Sequence, residues 1–378
     1  MSIKIKKWIT RLPEYIPGKT IEEIKERYNL DKVYKLASNE NLYGPHPGVL
    51  EEICKNLDDI KYYPDSECRE IRQKLAEKYN VDRDTIIMGN GTDQIIEMIC
   101  DSFIGPGEGA VITDPTFLIY EKSVVKRDGT AVKVPLKDFR QDVEMLIESI
   151  NDKTKILFLT NPHNPTGTNI NRREFNYVIE NINKDVLLVV DEAYWEYVPE
   201  HERINTIEYL SGCSSLMILR TFSKIFGLAG LRIGYGIADS SIISALNKVR
   251  IPFNVNSIAQ KAAAAALDNE SCINEIRENI DKERNRFYDI LNKNRIGFIK
   301  SYANFILINT GKNSDEIVEE LLKNGFIVRL GKNLGIPGYI RVTITLPEIN
   351  EKFLSVFIKI FNSLYEKERI KNGDGSYR

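Results

Sequence analysis

The sequence predicts an α/β protein in which helices flank a mostly parallel central sheet, together with a smaller α+β domain. Helix and strand patterns alternate over most of the 378 residues. Several apolar runs are continuous instead of alternating, which is typical of parallel strands buried on both faces. After Ile251-Pro-Phe253 the pattern changes to an Ala-rich stretch and then to charged segments with an apolar stripe, which indicates long helices.

The elements of the predicted large domain follow from apolar periodicity and from turn residues. Helical patterns cover residues 48–57 and 67–79, and a third helix begins near Gln94 and runs to Phe103. Short or continuous apolar runs predict strands at residues 85–88, 110–113, 155–160, 186–191, 215–219 and 233–237.

The C-terminal elements alternate in a way that predicts a smaller α+β unit. Helices are expected at residues 257–267, 272–292, 314–324 and 352–368, and strands at 303–310, 326–329 and 339–345. The length favours more than one domain. The predicted organisation is an N-terminal arm with part of the small domain at residues 1–47, the large domain at 48–256 and the C-terminal small domain at 257–378.

Composition excludes several classes of function. The 52 Lys+Arg and 54 Asp+Glu residues give a formal net charge of -2, which argues against a general electrostatic grip on nucleic acid. No run approaches the roughly 18 apolar residues of a membrane span, and the basic N-terminus lacks the apolar stretch of a signal peptide. The five scattered cysteines and three histidines favour neither a disulfide framework nor a metal site. We expect a cytoplasmic protein without metal, nucleic-acid or membrane partners.

A glycine-containing turn at residues 89–93 lies between a predicted strand and a predicted helix. Free backbone N–H groups and the positive helix end would meet there, and such a site suits a phosphate. The turn is not a dinucleotide fingerprint, because Gln94 stands where a third Gly is required, so a nicotinamide dehydrogenase is disfavoured. Taken alone, a simple turn capped by Thr92 or Asp93 explains the pattern equally well.

Two further motifs follow predicted strands. Residues 159–167 contain two Asn-Pro pairs, whose prolines restrict the backbone so that the Asn164 amide can be held in one direction. Asp191 ends a buried strand, with Tyr194 three residues later. A buried carboxylate requires a cationic or N–H partner. A rigid turn and a helix cap are the simpler interpretations of the two motifs.

Lys224 lies between Phe222 and Phe226, and Arg232 follows eight residues later. A lysine in apolar surroundings with a cationic neighbour tends to lose its proton, and the neutral amine is the form that reacts with an aldehyde. Most lysines beside aromatic residues merely extend their ammonium group to solvent. The motif therefore gains its meaning only in combination with the others.

Together the motifs require one ligand with four chemical features. It has a phosphate, a basic ring nitrogen to pair with Asp191, and an aldehyde for Lys224. It also has a ring oxygen for Asn164 and Tyr194. The phosphate would be bound by Thr92, Thr221, Ser223 and Arg232. Pyridoxal 5'-phosphate has all four features, and the combined match is far more specific than any single motif.

With these motifs, the sequence resembles the fold-type I aminotransferases and, within them, the histidinol-phosphate aminotransferase subfamily. The resemblance covers nearly the whole chain. Besides the segment from Thr221 to Arg232, it rests on these stretches: Tyr15-Ile-Pro-Gly-Lys19, Leu36-Ala-Ser-Asn-Glu-Asn41, Tyr43-Gly-Pro45, Tyr63-Pro-Asp65, Pro252-Phe-Asn-Val-Asn256 and Arg341-Val-Thr343. It implies the aminotransferase type I fold, with the cofactor bound by the large domain.

The resemblance also implies a role for each candidate residue. The implied catalytic residues are Lys224, which would hold the cofactor and move protons, Asp191 at the ring nitrogen, and Tyr194, which with Asn164 would contact the ring oxygen. The other implied cofactor-binding residues are Gly91, Thr92, Thr221, Ser223 and Arg232 at the phosphate, and Phe117 stacked on the ring. Asp93 is a further implied cofactor-binding residue. Tyr63 would reach the phosphate of a neighbouring subunit, which implies a homodimer with shared active sites.

The implied substrate residues lie in other parts of the chain. Arg341 resembles the arginine that binds the substrate α-carboxylate, and Arg329 and Tyr15 match positions near the phosphate of the substrate. The implied reaction is a two-step transamination in histidine biosynthesis, in which histidinol phosphate and 2-oxoglutarate give imidazole-acetol phosphate and glutamate.

Alternatives to this assignment stay open. An aromatic or other amino-acid aminotransferase keeps the cofactor and changes the amine donor, and a decarboxylase of a threonine-phosphate type changes the reaction. A cofactor-binding regulator is disfavoured, because no DNA-binding extension is visible. The sequence also departs from the family pattern at Thr345-Leu346, His163 and Glu67-Cys68. The first two departures weaken the substrate assignment more than the assignment of the reaction.

Overall fold

The computed structural model describes residues 3–12, 14 and 18–371. Its strands are β1 (Tyr34–Lys35), β2 (Ile86–Gly89), β3 (Gly109–Asp114), β4 (Thr130–Pro135), β5 (Thr154–Thr160), β6 (Leu187–Asp191), β7 (Leu216–Thr221), β8 (Gly234–Ala238), β9 (Phe298–Ile299), β10 (Phe305–Asn309), β11 (Phe326–Ile327), β12 (Arg329–Leu330) and β13 (Tyr339–Thr343). Its α-helices are α1 (Ile21–Tyr28), α2 (Pro47–Lys55), α3 (Arg69–Tyr79), α4 (Gly91–Phe103), α5 (Ile119–Val125), α6 (Val143–Glu148), α7 (Arg172–Asn181), α8 (Ser240–Val249), α9 (Ser257–Leu267), α10 (Ser271–Lys293), α11 (Ser314–Lys323) and α12 (Pro347–Lys371).

The central sheet has seven strands in the order β2-β8-β7-β6-β5-β3-β4. Neighbouring strands are parallel except at β8, which is antiparallel to both β2 and β7. The prediction of a mostly parallel sheet is thereby confirmed, although the run at residues 233–237 forms the one antiparallel strand of this sheet. The connection from β7 to β8 contains no α-helix, so the chain returns beside β7 in the opposite direction.

Both faces of the central sheet are covered by helices. Alternate residues of the central strands belong to two different apolar clusters, as Ile156 and Leu157 of β5 show. One cluster contains residues of α4, α5 and α8, and the other contains residues of α6 and α7. This arrangement explains why the strands appear in the sequence as continuous apolar runs.

The smaller domain is built from two short sheets. The antiparallel sheet has the order β12-β13-β10-β9, while β1 from the N-terminal part of the chain pairs in parallel with β11. The single strand predicted at residues 326–329 is therefore two strands, which belong to different sheets. These pairings support the predicted division near residues 47 and 256, which we retain as a proposal.

Two predicted helices begin earlier than their apolar pattern. α4 begins at Gly91 instead of near Gln94, and α12 begins at Pro347 instead of residue 352. Proline is favoured in the first turn of a helix, where its missing N–H has no intrahelical acceptor. Within the described part of the chain, no helix has the length and apolar character of a membrane span. Nor do those residues contain a cluster of three or more potential metal ligands.

Candidate active site

The predicted cofactor residues meet at one edge of the central sheet because of the strand directions. β2, β5, β6 and β7 run in the same direction, so their carboxyl ends lie at a common edge. Gly91, Asn164, Asp191 and Lys224 lie at or shortly after these ends. Because β8 is antiparallel, its first residue lies at the same edge, and Arg232 precedes that residue by two positions. The antiparallel strand thus brings the arginine to the other candidates.

Asp191 is buried and accepts two hydrogen bonds. Its Oδ1 accepts the N–H of Ala193 at 3.1 Å, and its Oδ2 accepts the hydroxyl of Tyr120 at 2.6 Å. Burial raises the pKa of Asp191 from 3.8 to about 6, because the charged carboxylate loses its hydration. The two donors and the nearby Lys224 lower this pKa, while the charge of Asp93 raises it. The site therefore contains a buried acid whose negative charge is only partly compensated by the two hydrogen-bond donors and by Lys224.

Lys224 is half-buried, and its charge acts on the Asp191 carboxyl group. Its Nζ donates to the carbonyl of Ser38 at 3.1 Å and lies 5.4 Å from the centre of the Tyr194 ring. The sequence predicts apolar surroundings for the amine from Phe222 and Phe226. Both rings instead belong to the buried core, with their centres 4.8 Å apart. The amine is thus directed to a backbone carbonyl and an aromatic face.

Tyr194 and Asn164 connect the cofactor residues to the smaller domain. The buried Tyr194 hydroxyl accepts a hydrogen bond from Asn39 Nδ2 at 2.9 Å. Asn164 Oδ1 accepts a hydrogen bond from Arg341 Nη1 at 2.6 Å. A predicted cofactor residue of the central sheet and the predicted carboxylate-binding arginine of β13 are therefore in direct contact.

The predicted phosphate residues lie around the first turn of α4. Arg232 Nη1 lies 3.4 Å from Ser223 Oγ, and Arg232 Nη2 lies 3.3 Å from Asp93 Oδ2. Thr221 Oγ1 accepts the N–H of Ser223 at 3.0 Å. A Cβ atom added to Gly91, whose φ is +73°, would lie 2.6 Å from Arg232 Nη2. The guanidinium group is thus packed against glycine backbone at a helix N-terminus, where anions bind favourably.

Thr92 is part of the same turn and is buried. A Cβ atom added to Gly234, the first residue of β8, would lie 2.9 Å from the backbone nitrogen of Thr92. Gly234 pairs with both Gly89 and Thr221. The absence of a side chain at Gly234 therefore allows the start of α4 to approach the end of β7.

Arg341 and Arg329 lie opposite each other on β13 and β12. Arg341 is buried, its Nη2 donates to the carbonyl of Ala37 at 2.8 Å, and its Nε has no hydrogen-bond partner among the described residues. Burial and the charge of Arg329 lower the pKa of Arg341 from 12.5 to about 10. Within the described residues, neither arginine forms an ion pair with a carboxylate. Two opposed guanidinium groups of this kind favour an anionic ligand.

Three other predicted residues have different positions. Phe117 follows β3 and is partly buried, with its ring centre 5.7 Å from that of Tyr120. Tyr63 is 82% exposed, and its ring stacks on that of Phe253. Tyr15 lies outside the described residues.

The departures from the family pattern make contacts within the scaffold. His163 is buried, its Nδ1 lies 2.8 Å from Thr166 Oγ1, and burial lowers its pKa to about 3, so the ring is neutral near pH 7. The N–H of Thr345 donates to Asn350 Oδ1 at 3.0 Å, close to the start of α12. Cys68, at φ +48°, is buried immediately before α3.

The family model described as "Aminotransferase class I and II" matches residues 31–357, which is most of the chain. The chain belongs to this family.

Full-length relatives within the aminotransferase family carry a more specific name. Proteins named histidinol-phosphate aminotransferase from Geobacillus sp. (strain WCH70) and Caldicellulosiruptor saccharolyticus are 40% and 41% identical to this chain. The alignments cover 97% and 93% of this chain and 100% and 98% of the relatives. The crystal structure of the histidinol-phosphate aminotransferase from Sinorhizobium meliloti, in complex with pyridoxal 5'-phosphate, is 26% identical and has a TM-score of 0.88. That match covers 96% of this chain and 99% of the other.

The site also contains three residues that were not among the predicted site residues. Tyr120 contacts Asp191, Asn39 contacts Tyr194, and the carbonyl of Ser38 accepts the Lys224 amine. Ser38 and Asn39 belong to a motif that supported the family resemblance, but no role was assigned to them. Tyr120 lies in the first turn of α5, three residues after Phe117, which precedes the helix, and this closeness to a predicted residue was the available signal.

Proposed function

We propose that the protein is a pyridoxal 5'-phosphate-dependent aminotransferase that acts on histidinol phosphate and 2-oxoglutarate in histidine biosynthesis. The observation that carries the reaction assignment is the convergence of Lys224, Asp191 and the Arg232 cradle at one sheet edge. The full-length relatives named histidinol-phosphate aminotransferase support the choice of substrate. Within the site, the paired Arg341 and Arg329 support a substrate that carries phosphate in one half-reaction and carboxylate in the other.

Two further observations support the fit of this cofactor. The missing Cβ of Gly91 leaves backbone N–H groups open beside Arg232, as a phosphate requires. Asp191 is a buried acid that, among the described residues, has no hydrogen-bonded cation, which suits a protonated ring nitrogen. When bound, the cofactor would supply an aldehyde for the substrate amine and a ring that withdraws electrons from the neighbouring carbon.

Each predicted site residue would have a separate role in the reaction. The Lys224 amine would hold the cofactor and then carry a proton at Nζ as general base and acid. The Asp191 carboxylate would stabilise positive charge at the ring nitrogen. Tyr194 and Asn164 would contact the ring oxygen, and Phe117 would pack on the ring. Arg341 would orient the substrate through its guanidinium group.

A further set of residues would bind the cofactor phosphate, and one residue would act across a subunit interface. We propose that the cofactor phosphate contacts Gly91, Thr92, Thr221, Ser223 and Arg232, and that Asp93, which pairs with Arg232, belongs to the same cofactor site. We also propose a cytoplasmic homodimer in which Tyr63 completes the phosphate site of the other subunit. The high exposure of Tyr63 supports this role, because an exposed side chain is accessible to a second subunit.

A panel of amine donors tests the reaction and the substrate. The cofactor-loaded enzyme is mixed separately with histidinol phosphate, phenylalanine, tyrosine and threonine phosphate, and the change in its visible absorption band is followed. We expect histidinol phosphate to react with the highest kcat/KM and to yield a ketone, with glutamate formed in the second half-reaction. Equal reactivity with phenylalanine would refute the substrate, and release of carbon dioxide would refute transamination. Lys224→Ala should abolish turnover.

The Arg329→Ala variant tests the recognition of the substrate phosphate. We expect kcat/KM to fall about tenfold or more for histidinol phosphate, because a charge-assisted hydrogen bond is lost. The value for phenylalanine should change much less. Arg286→Ala is the matched control, since Arg286 forms ion pairs with Glu283 on α10 and Glu351 on α12, away from the site. Equal losses for both donors would exclude a specific phosphate contact.

A further inference from the structure

Tyr120 is a fully buried residue of α5 whose hydroxyl reaches the carboxyl of Asp191. The distance from the hydroxyl to Asp191 Oδ2 is 2.6 Å, and Thr160 Oγ1 lies 3.1 Å from the same hydroxyl. The ring is stacked on Phe158, with centres 4.6 Å apart and planes inclined by 13°. Stacking and burial leave the ring little freedom, so the hydroxyl is held in position by its surroundings.

The partner of Tyr120 is itself held in place. Thr160 is the last residue of β5 and pairs in register with Asp191 on β6. Gln141 Nε2 donates to the Thr160 carbonyl at 2.7 Å, and Gln141 Oε1 accepts the Thr113 hydroxyl at 3.2 Å. These polar side chains are buried. The chain of hydrogen bonds therefore connects four separate segments and ends at the Asp191 carboxyl group.

The charges around Asp191 make the tyrosine donor important. The titratable groups that face this carboxyl group are Tyr120 on α5, Asp93 on α4 and Lys224 after β7, while Tyr194 faces Tyr120. Burial and Asp93 disfavour the carboxylate, and Lys224 acts on it without a hydrogen bond. Burial and Asp191 raise the pKa of Tyr120 well above its usual value, so its hydroxyl keeps its proton and remains a donor. Within the described part of the chain, Tyr120 is thus the side chain that donates a hydrogen bond to the carboxylate.

We propose that Tyr120 is a positioning residue for the aminotransferase reaction: held by Thr160, its hydroxyl fixes the orientation of the Asp191 carboxylate and favours its charged form. The role rests on the proposed function, in which Asp191 faces the ring nitrogen of the cofactor. Tyr120 acts through Asp191 and contacts neither substrate nor cofactor in this role. The side chain at position 120 is a neutral tyrosine. It therefore stabilises the Asp191 carboxylate by a hydrogen bond without adding a second charge to the pocket.

The test measures cofactor binding by the protein from which the cofactor has been removed. The dissociation constant for pyridoxal 5'-phosphate is determined by equilibrium dialysis between pH 5.5 and 8.5 for the wild type and for Tyr120→Phe. We expect about tenfold weaker binding at pH 7 in Tyr120→Phe, because a charge-assisted hydrogen bond is lost. The pH below which affinity falls should also be higher than in the wild type, because the carboxylate has lost a donor.

A matched control is Tyr235→Phe. Tyr235 is also fully buried, and its hydroxyl makes one hydrogen bond of 2.6 Å, to the hydroxyl of Tyr79. We expect its pH profile of binding to match the wild type. An unchanged dissociation constant in Tyr120→Phe, or an equal loss in both variants, would overturn the proposal.

A double-mutant comparison separates positioning from packing. In an Asp191→Asn background, Tyr120→Phe should cause little further loss of affinity, because the charge on which the hydroxyl acts is gone. The same tenfold loss in both backgrounds would overturn the proposal. If Tyr120→Phe fails to fold, Thr160→Val, which removes the hydroxyl partner, should show a smaller shift in the same direction, and its absence would count against the proposal. Failure of the proposed function has a different signature, namely a wild type that binds the cofactor but does not transaminate histidinol phosphate.

Discussion

The carboxyl group of Asp191 illustrates a conflict between binding and stability at the scale of one residue. Burial raises its pKa to about 6 in the folded protein, against 3.8 for the model carboxyl group. Such a group costs little stability while it is protonated in both states. The cost develops as pH rises from 3.8 and is complete above 6, where the folded protein must hold a buried charge. A cationic cofactor ring would compensate the buried charge and remove this cost. The cost in the cofactor-free protein therefore favours binding of the cofactor.

Because the buried charge of Asp191 destabilises the folded protein at high pH, removing this charge should increase stability there. Asp191→Asn should raise the free energy of unfolding of the cofactor-free protein by about 3 kcal/mol at pH 8, since 1 pKa unit corresponds to about 1.4 kcal/mol. The gain should fall well below 1 kcal/mol at pH 4, where the wild-type carboxyl group is largely protonated in the folded state. Urea unfolding at several pH values measures both quantities.

Asp239→Asn serves as a control of opposite sign. Hydrogen bonds from the Ser241 hydroxyl and N–H lower the pKa of Asp239, which caps α8. Its charged form therefore stabilises the fold, and the substitution should lower stability at pH 8 more than at pH 4. A stability gain for Asp191→Asn that is independent of pH would contradict the electrostatic explanation.

At the scale of elements, the site depends on how strand ends and one helix start are joined. Arg220 Nε donates to Glu192 Oε2 at 2.8 Å, and the guanidinium carbon lies 3.8 Å from the centre of the Trp195 ring. Glu192 follows Asp191, and Arg220 precedes the predicted phosphate residue Thr221. This buried ion pair therefore connects the end of β6, at the predicted ring-nitrogen site, to the end of β7, at the predicted phosphate site. Its two charges compensate each other where water is excluded.

The second prediction concerns the junction of β2 and α4. Gly91→Ala should destabilise the protein by about 1 kcal/mol, because its φ of +73° is unfavourable for a residue with a Cβ. It should also weaken the binding of pyridoxal 5'-phosphate about tenfold or more, because the new Cβ would lie 2.6 Å from Arg232 Nη2 and displace the guanidinium group. Unfolding and cofactor titrations give the two values.

Gly107→Ala separates the two effects. Gly107 has a φ of +81°, but a Cβ there would meet nothing within 4 Å. It should show a similar loss of stability with unchanged cofactor affinity. If the affinities of the two variants decline equally, the close approach of Gly91 and Arg232 is not the cause.

At the scale of the whole molecule, an exposed apolar patch surrounds the predicted intersubunit tyrosine. Ile60, Tyr62, Tyr63, Ile251 and Phe253 are between 43% and 82% exposed. Exposed patches of large apolar side chains commonly mark protein interfaces. A symmetric dimer that buries this patch would also bring Tyr63 to the partner, as the proposed shared site requires.

The third prediction tests shared sites with hybrid dimers. Lys224→Ala and Tyr63→Ala subunits carrying different tags are coexpressed, and the mixed dimer is isolated. One of its two sites would contain Lys224 from one subunit and Tyr63 from the other, so we expect about half of the wild-type activity at limiting cofactor concentration. Each parent homodimer should be far less active.

The outcome for independent sites is different. If each site used Tyr63 of its own chain, every site of the hybrid would carry one defect, and its activity would not exceed that of the Tyr63→Ala parent. Tyr62→Ala is the matched control, since Tyr62 is also exposed and adjacent in sequence. It should behave like the wild type in cofactor binding.

Much of the fold was predictable because burial leaves a direct trace in the sequence. The runs that became β5, β6 and β7 are apolar on both faces, and each ends in a residue suited to the site. The direction of β8 was not predictable from its composition, because an apolar strand of five residues fits either direction. Its direction places Arg232 at the same edge as Asp191.

The sequence by itself determined the chemistry of the candidate site. A lysine, an acid, an asparagine and a tyrosine after successive strands are sufficient to indicate the cofactor, because the carboxyl ends of parallel strands share one edge. Contacts between distant segments were decided only by the tertiary structure. The pairing of Arg341 with Asn164 and of Tyr120 with Asp191 depends on how β13 and α5 pack against the central sheet. Such packing is set by the combined burial of many side chains, and no local pattern along the chain records it.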